Sequence, residues 1–468
     1  MLQKTGILGG RLCRVCAACF CAVIFIQNVA AALSGRGLVA TVSLLVTLLI
    51  GALCSYLLRP FRAFPFVLFL ARFALAVFFI LWLRSQPVQD FKTMYDAARQ
   101  LAAGDHSYLD NVYFFRWAYQ SAFVSYEAIV IRLFGASLLP LQLLNAVYMA
   151  GTNVLIWRIA RRFLPERAAM TVAVLYLIYP APLFLAGVLT NQHLAAFLLY
   201  AAADLLTGGS KLNTVRGAAA GALMALGNAM RPVGIILLLA CLVWCVLRAL
   251  GRKELRPLLT GAAVALAYFA AGAALAAVIV SSGVNPKGLS NNQPMWKFAV
   301  GLNQRSNGQW NAEDYDAFLS LPDDAADEAM RQAVRERLGV GPAKLAGLAW
   351  RKSAAMWAGS EDLYWGFGHL TDADPAPPGL SWNTVETVLG SWDNGVYLAA
   401  FALTLAGLLL ALRRREEFGT SLLLTILLCG YYAVHLIVEV QSRYRYFVMP
   451  CVFLLAGVAL ARLAQRKA

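Results

Sequence analysis

The sequence predicts an all-α polytopic membrane protein, with about twelve transmembrane helices and two extracytoplasmic loop regions that carry short amphipathic helices. Three observations predict it. Of the 468 residues, 60% are hydrophobic and only 14% are charged, where a soluble chain carries about 25% charged residues. Apolar stretches recur at lengths near 20 residues, enough to cross a hydrocarbon core of ~30 Å as a helix. Basic residues also gather in alternate connections. A soluble enzyme, a collagen, a disordered chain and a disulfide miniprotein are all excluded.

Twelve spans follow from the apolar runs, near 12–33, 38–58, 65–84, 138–157, 168–187, 191–207, 216–230, 233–248, 257–281, 396–412, 419–438 and 446–463. With the N-terminus in the cytoplasm, the cytoplasmic segments hold Lys4, Arg11, Arg14, Arg59, Arg62, Arg158, Arg161, Arg162, Arg167, Lys211 and Arg216. They also hold Arg248, Arg252, Lys253, Arg256, Arg413, Arg414, Arg415, Arg462, Arg466 and Lys467. Those 21 bases stand against four in the short outer connections, Arg36, Arg231, Arg443 and Arg445. The positive-inside rule then places both termini in the cytoplasm and accounts for the net charge of +15 without nucleic acid. Ala30-Ala31-Ala32 has the small residues of a signal-peptidase site, but the apolar run before it is long and a second span follows closely, so an uncleaved hairpin is expected.

The chain divides into an N-terminal transmembrane hairpin (1–64), a membrane core (65–281) with a first extracytoplasmic loop at 85–137, a large extracytoplasmic region (282–395) and three C-terminal spans (396–468). All nine cysteines fall in predicted spans or at their cytoplasmic edge, so no structural disulfide is expected. The CxxC spacing at Cys13 and Cys16 lacks a second ligand pair, and buried thiols are the simpler reading.

In the first loop, Phe91, Met94, Tyr95, Ala98, Leu101 and Ala102 follow a period of 3.6 and predict an amphipathic helix ending at Gly104. A second apolar stretch, 122–134, contains Glu127 and is too short to span. In the large loop, 322–339 reads as a soluble helix, with acids in its first turn and bases in its last. Residues 344–357 read as an amphipathic helix with interfacial Trp350 and Trp357. This region holds 14 acids and 9 bases, which argues again against nucleic acid.

Ionisable groups in or beside spans are costly and mark candidate sites. Arg72 is expected to snorkel to the cytoplasm, and Asp204 lies near the inner end of its span, so both are set aside. Arg231, His435, Glu439, Arg443 and Arg445 remain, at the outer face. Asp90 is either the N-cap of the amphipathic helix or a general base. Glu127 is either catalytic or paired with Arg116 or Arg132. Arg443 and Arg445, interleaved with tyrosines, either clamp a lipid phosphate or anchor helix ends at the interface. Asn191 and His193 sit at an outer turn, as ligands or caps. Trp296, Asn303 and Trp310 are candidates for stacking on and hydrogen-bonding a sugar. No histidine spacing suits zinc, the acid clusters read as helix starts rather than calcium ligands, and no Walker motif or GxGxxG occurs.

Four stretches, taken in order, resemble the GT-C glycosyltransferases, integral-membrane enzymes that use polyprenyl-phosphate sugars. The similarity is to bacterial members related to the protein O-mannosyltransferases and the aminoarabinose transferase. The stretches are Asp90-Phe91 with Tyr95, Ala98, Leu101 and Gly104; Tyr119 to Glu127, leading into Leu133-Phe134-Gly135; Asn191-Gln192-His193 with Arg231-Pro232; and His435 to Tyr446. They cover about 65–465. The family's first loop often has a second acid beside the first, a place held here by Phe91.

The resemblance implies inverting transfer from a polyprenyl-phosphate sugar to an extracytoplasmic glycopolymer, glycolipid or protein. Asp90 would act as base and Glu127 as a second catalytic candidate. Arg443, Arg445 and Arg231 would bind the donor phosphate. His193, Asn191, Asn303, Trp310, Glu439 and His435 would bind substrate. No cofactor is called for, since the donor brings its own leaving group, and the place of a divalent metal stays open. Two other classes stay in view: a lipid-linked glycan polymerase or ligase, which needs no first-loop Asp, and a flippase or transporter, which predicts midplane charges and a two-fold repeat.

Overall fold

A computed structural model describes residues 2–33, 37–209, 212–358, 361–370, 379–413 and 418–465. The bases Arg36, Lys211, Arg414, Arg415, Arg466 and Lys467 of the charge argument lie outside these residues. The described residues are all-helical, without a strand. Seven helices are long and apolar enough to cross a membrane: Leu2–Leu33, Gly37–Leu57, Phe64–Leu83, Leu138–Ala160, Gly234–Arg252, Arg256–Ser281 and Trp382–Leu412. The other five predicted spans are shorter helices: Glu166–Leu177, Gln192–Thr207, Thr214–Met230, Thr420–His435 and Met449–Gln465. The protein is a polytopic helical membrane protein.

Three spans differ markedly from their expected bounds, and the first of them, expected from 12, begins at Leu2. The segment expected at 168–187 breaks after Leu177 and resumes only as the short turn Ala181–Phe184, because Pro180 and Pro182 remove donors and disfavour helix before them. Its open carbonyls are met by Arg72, which lies fully buried and donates to Leu177 O (2.8 Å) and Tyr179 O (3.3 Å). Arg72 therefore does not snorkel; a broken helix in lipid needs an internal donor, and this residue supplies it. The helix expected from 396 begins at Trp382. Its polar first half, with buried Asp393, hides it from a hydropathy reading.

Small residues set the closest packing. Thr214–Met230 crosses Arg256–Ser281 at Gly217 and Gly221, where a Cβ on Gly221 would come within 2.2 Å of the Val264 carbonyl oxygen. That is small-xxx-small packing, in which backbones approach without intervening side chains. Asp204 is buried and paired with Arg158 (2.8 Å) and Arg162 (3.4 Å).

The loop regions fold as short helices at one end of the bundle. Gln89–Ala102 buries Phe91, Met94, Tyr95, Ala98 and Leu101, the expected apolar stripe, against Ser121–Phe134. The large region forms Trp296–Gly301, Ala312–Leu319, Asp323–Leu338 and Pro342–Trp357. Leu2–Leu33 holds the last of these: Gln27 donates to Trp350 O (3.0 Å) and Asn28 to Trp357 O (2.9 Å). Trp350 is exposed, but Trp357 is buried rather than interfacial, since its carbonyl and ring are both used inside.

Candidate active site

The helix that carries Asp90 starts at a distorted residue. Gln89 has φ 48°, a left-handed value that non-glycine residues rarely adopt and that clusters at functional sites. Val88 occupies the N-cap position, with no side-chain cap bond. Asp90 is thus not the cap. Its exposed carboxylate takes no hydrogen bond or ion pair among the described residues, and it faces a cavity of about 1150 Å³.

The opposite wall comes from the segment joining the last two helices. Tyr444 OH (3.1 Å) and Gln441 Nε2 (2.9 Å) donate to Glu439 Oε1, and Lys297 Nζ donates to Oε2 at 2.6 Å. Gln441 in turn accepts from Arg443 Nε at 2.6 Å. Arg443 also lies over Trp365 at 4.2 Å and Phe91 at 5.3 Å from the ring centroids. Its two terminal nitrogens take no bond among the described residues. Phe91, where a second acid was looked for, is therefore one face of the arginine's aromatic cradle.

Arg231 stands on the third side. Its Nη1 donates to Asn191 Oδ1 at 2.9 Å, Asn191 donates on to Met230 O at 2.8 Å, and the guanidinium lies over Tyr444 at 5.2 Å. Burial, and then the like charge of Arg443, lower the Arg231 guanidinium below its ordinary value. Two cations held near each other by neutral partners make a site prepared for an anion. Burial alone would push Glu439 up, but the Lys297 charge and the hydrogen bonds from Lys297, Tyr444 and Gln441 together hold it below the usual carboxylate range. That pair is internally balanced and Arg116 is taken by Asp323, so the cavity-lining cations left for a ligand are the two arginines and the exposed Lys287.

Of the residues singled out in the sequence, Asp90, Asn191, Arg231, Trp296, Trp310, His435, Glu439 and Arg443 line this one cavity. Four others lie elsewhere. Arg445 is buried, donates to Trp357 O (3.3 Å), faces Asp393 at 3.8 Å and covers Tyr397 at 4.6 Å. His193 uses both ring nitrogens, on Tyr446 OH (2.6 Å) and Leu185 O (2.9 Å). Asn303 donates to Asp314 Oδ2 (2.9 Å) and closes a turn onto Arg305 and Ser306. Glu127 is fully buried with neither oxygen hydrogen-bonded. Arg116 pairs with Asp323 (3.0 Å) and Arg132 donates to Leu101 and Ala102 carbonyls, so neither expected partner reaches Glu127.

Three contributors went unread in the sequence: Lys297, Gln441 and Lys352. Lys297 is a lone cation in the apolar run 295–300, which is a usable signal. Lys352 donates to Gly301 O (2.6 Å), Leu436 O (3.0 Å) and Val438 O (2.8 Å). It thereby clasps the segment before Glu439, and burial lowers its ammonium to about 7. Among the described residues no group of His, Cys, Asp and Glu is arranged to hold a metal ion.

Residues 126–274 match the family model described as dolichyl-phosphate-mannose-protein mannosyltransferase. The match supports a GT-C glycosyltransferase. The matched segment contains Asn191 and Arg231 and stops short of Asp90 and Arg443, which join the site through the fold. No curated protein and no solved structure matches the chain significantly.

Proposed function

We propose that the protein is an inverting glycosyltransferase that moves a sugar from a polyprenyl phosphate to an acceptor hydroxyl on the extracytoplasmic face. The observation that carries this reading is the unpartnered Asp90 carboxylate sharing one cavity with Arg443 and Arg231. In a single displacement, the acceptor oxygen bonds to the anomeric carbon as the bond from that carbon to the phosphate oxygen breaks. The electron pair leaves with polyprenyl phosphate, and the acceptor proton passes to Asp90. Arg443 and Arg231 receive the growing phosphate charge. Asn191 and Gln441 orient them. Ile235, Ile236, Phe269, Ala273 and Ala276 line the same cavity and suit an isoprenoid chain. The uneven distribution of bases supports cytoplasmic termini and an extracytoplasmic site.

Reconstituted transfer by Asp90→Asn tests the reading. The amide keeps the shape but cannot take the proton, so turnover should fall by ~10²–10⁴ with donor binding retained. Turnover near wild type would remove Asp90 from the chemistry.

A further inference from the structure

We propose that Trp310 and Tyr315 form a sugar-stacking subsite, and that the acceptor seated there is a glycan. The proposal rests on the glycosyltransferase reading and names its acceptor class. Both rings line the cavity that holds Asp90 and Arg443, yet they are 53% and 44% exposed. Their centroids are 6.3 Å apart and their planes inclined by 53°, so the two rings do not stack face to face on each other.

The support beneath them is rigid. Tyr315 meets the buried Trp296 edge-on, at 6.3 Å and 87°. Asn311, next to Trp310, caps the helix Ala312–Leu319 by accepting from Asp314 N at 2.8 Å. The buried Asp314 carboxylate is held by Asn303 (2.9 Å), Asn311 (3.1 Å) and Arg337 (2.6 Å). A burial role would hide these rings, and a membrane-belt role would turn them to lipid rather than to the cavity. Neither the Trp310 indole nor the Tyr315 hydroxyl has a hydrogen-bond partner among the described residues.

A flat apolar face with a polar tip is complementary to a pyranose, which offers a C–H face and a rim of hydroxyls. Asn111, Gln120, Asn228 and Asn291 line the same cavity and add neutral donors and acceptors for that rim.

The test is direct binding by the full chain in lipid nanodiscs, on an array of neutral oligosaccharides with a Ser/Thr-rich peptide alongside. Wild type should retain at least one oligosaccharide. Trp310→Ala and Tyr315→Ala should each weaken it by roughly two- to tenfold, and Trp310→Phe, which keeps a face, should recover most of the loss. Four results would overturn the proposal: no oligosaccharide retained by wild type, retention indifferent to both rings, retention of the peptide through the rings, or displacement of the oligosaccharide by polyprenyl-phosphate mannose, which would give the rings to the donor. This readout needs no turnover, so a failure of the Asp90 mechanism would show separately.

Discussion

Lys297 and Glu439 meet at 2.6 Å on the cavity wall, although 142 residues separate them. Their backbones are joined as well, since Glu439 N donates to Lys297 O at 2.7 Å. The pair thus ties the large loop region to the segment that carries Arg443, and Glu439 reaches Arg443 through the hydrogen bonds of Gln441 and through Tyr444, whose ring lies 5.9 Å from the guanidinium.

From this relay, Glu439→Gln should raise the donor KM severalfold and also lower Tm, because it leaves Lys297 without its counter-charge. Removing one partner of a fully buried pair costs about 3–5 kcal/mol. The Lys297 side chain is 38% exposed, so about 1–3 kcal/mol is expected after screening. The double variant Lys297→Met, Glu439→Leu should recover stability but not donor affinity. Recovery of both would show that Glu439 does not position Arg443.

Arg443 and Arg445 make separable forecasts. Arg443→Lys keeps charge but loses the bidentate fork, and should weaken donor binding with little change in Tm. Arg445→Ala removes the buried partner of Asp393, and should lower Tm while donor affinity in the remaining folded protein holds. Equal loss of donor affinity in both variants would contradict the division of labour.

Glu127 gives the pH dependence. Burial raises its carboxyl well above the usual range. The folded state then keeps a proton that the unfolded chain releases near pH ~4.3. Its contribution to stability is fully present below that pH and is lost as pH rises through the raised folded value. Glu127→Gln should therefore flatten the fall in Tm between acid and neutral pH and leave the protein more stable at pH 7. Transfer activity should persist, because Glu127 does not line the cavity. A variant with wild-type pH dependence of Tm but abolished transfer would return Glu127 to the catalytic candidates.

The parts legible in the sequence were those with a period or a position. The 3.6-residue stripe from Phe91 to Leu101 placed the helix that presents Asp90, and apolar length placed the spans. What was not legible depends on partners far along the chain. Arg443 and Arg445 look alike in sequence, yet two steps along the tight turn Ser442–Phe447 point to different sides. Arg445 faces Asp393, on a helix whose polar start resembles loop. His193 reads as a ligand until Tyr446, 253 residues away, takes its ring nitrogen. Asp90 is open between cap and base in the sequence because sequence cannot show that the cap is Val88, two residues earlier.

The last prediction concerns sidedness, on which the extracytoplasmic site depends. The bases split 21 to four between alternate connections, and a bias of that size in short loops sets orientation. Ala325 is exposed on the helix Asp323–Leu338, and Glu254 is exposed in the turn after Gly234–Arg252. Each is replaced by Cys in turn, with the parent protein as the blank for its nine native thiols. Ala325→Cys should react with a membrane-impermeant maleimide in intact cells, and Glu254→Cys only after permeabilisation. The reverse pattern would invert the topology, put the Asp90 cavity on the cytoplasmic face, and require an acceptor found there.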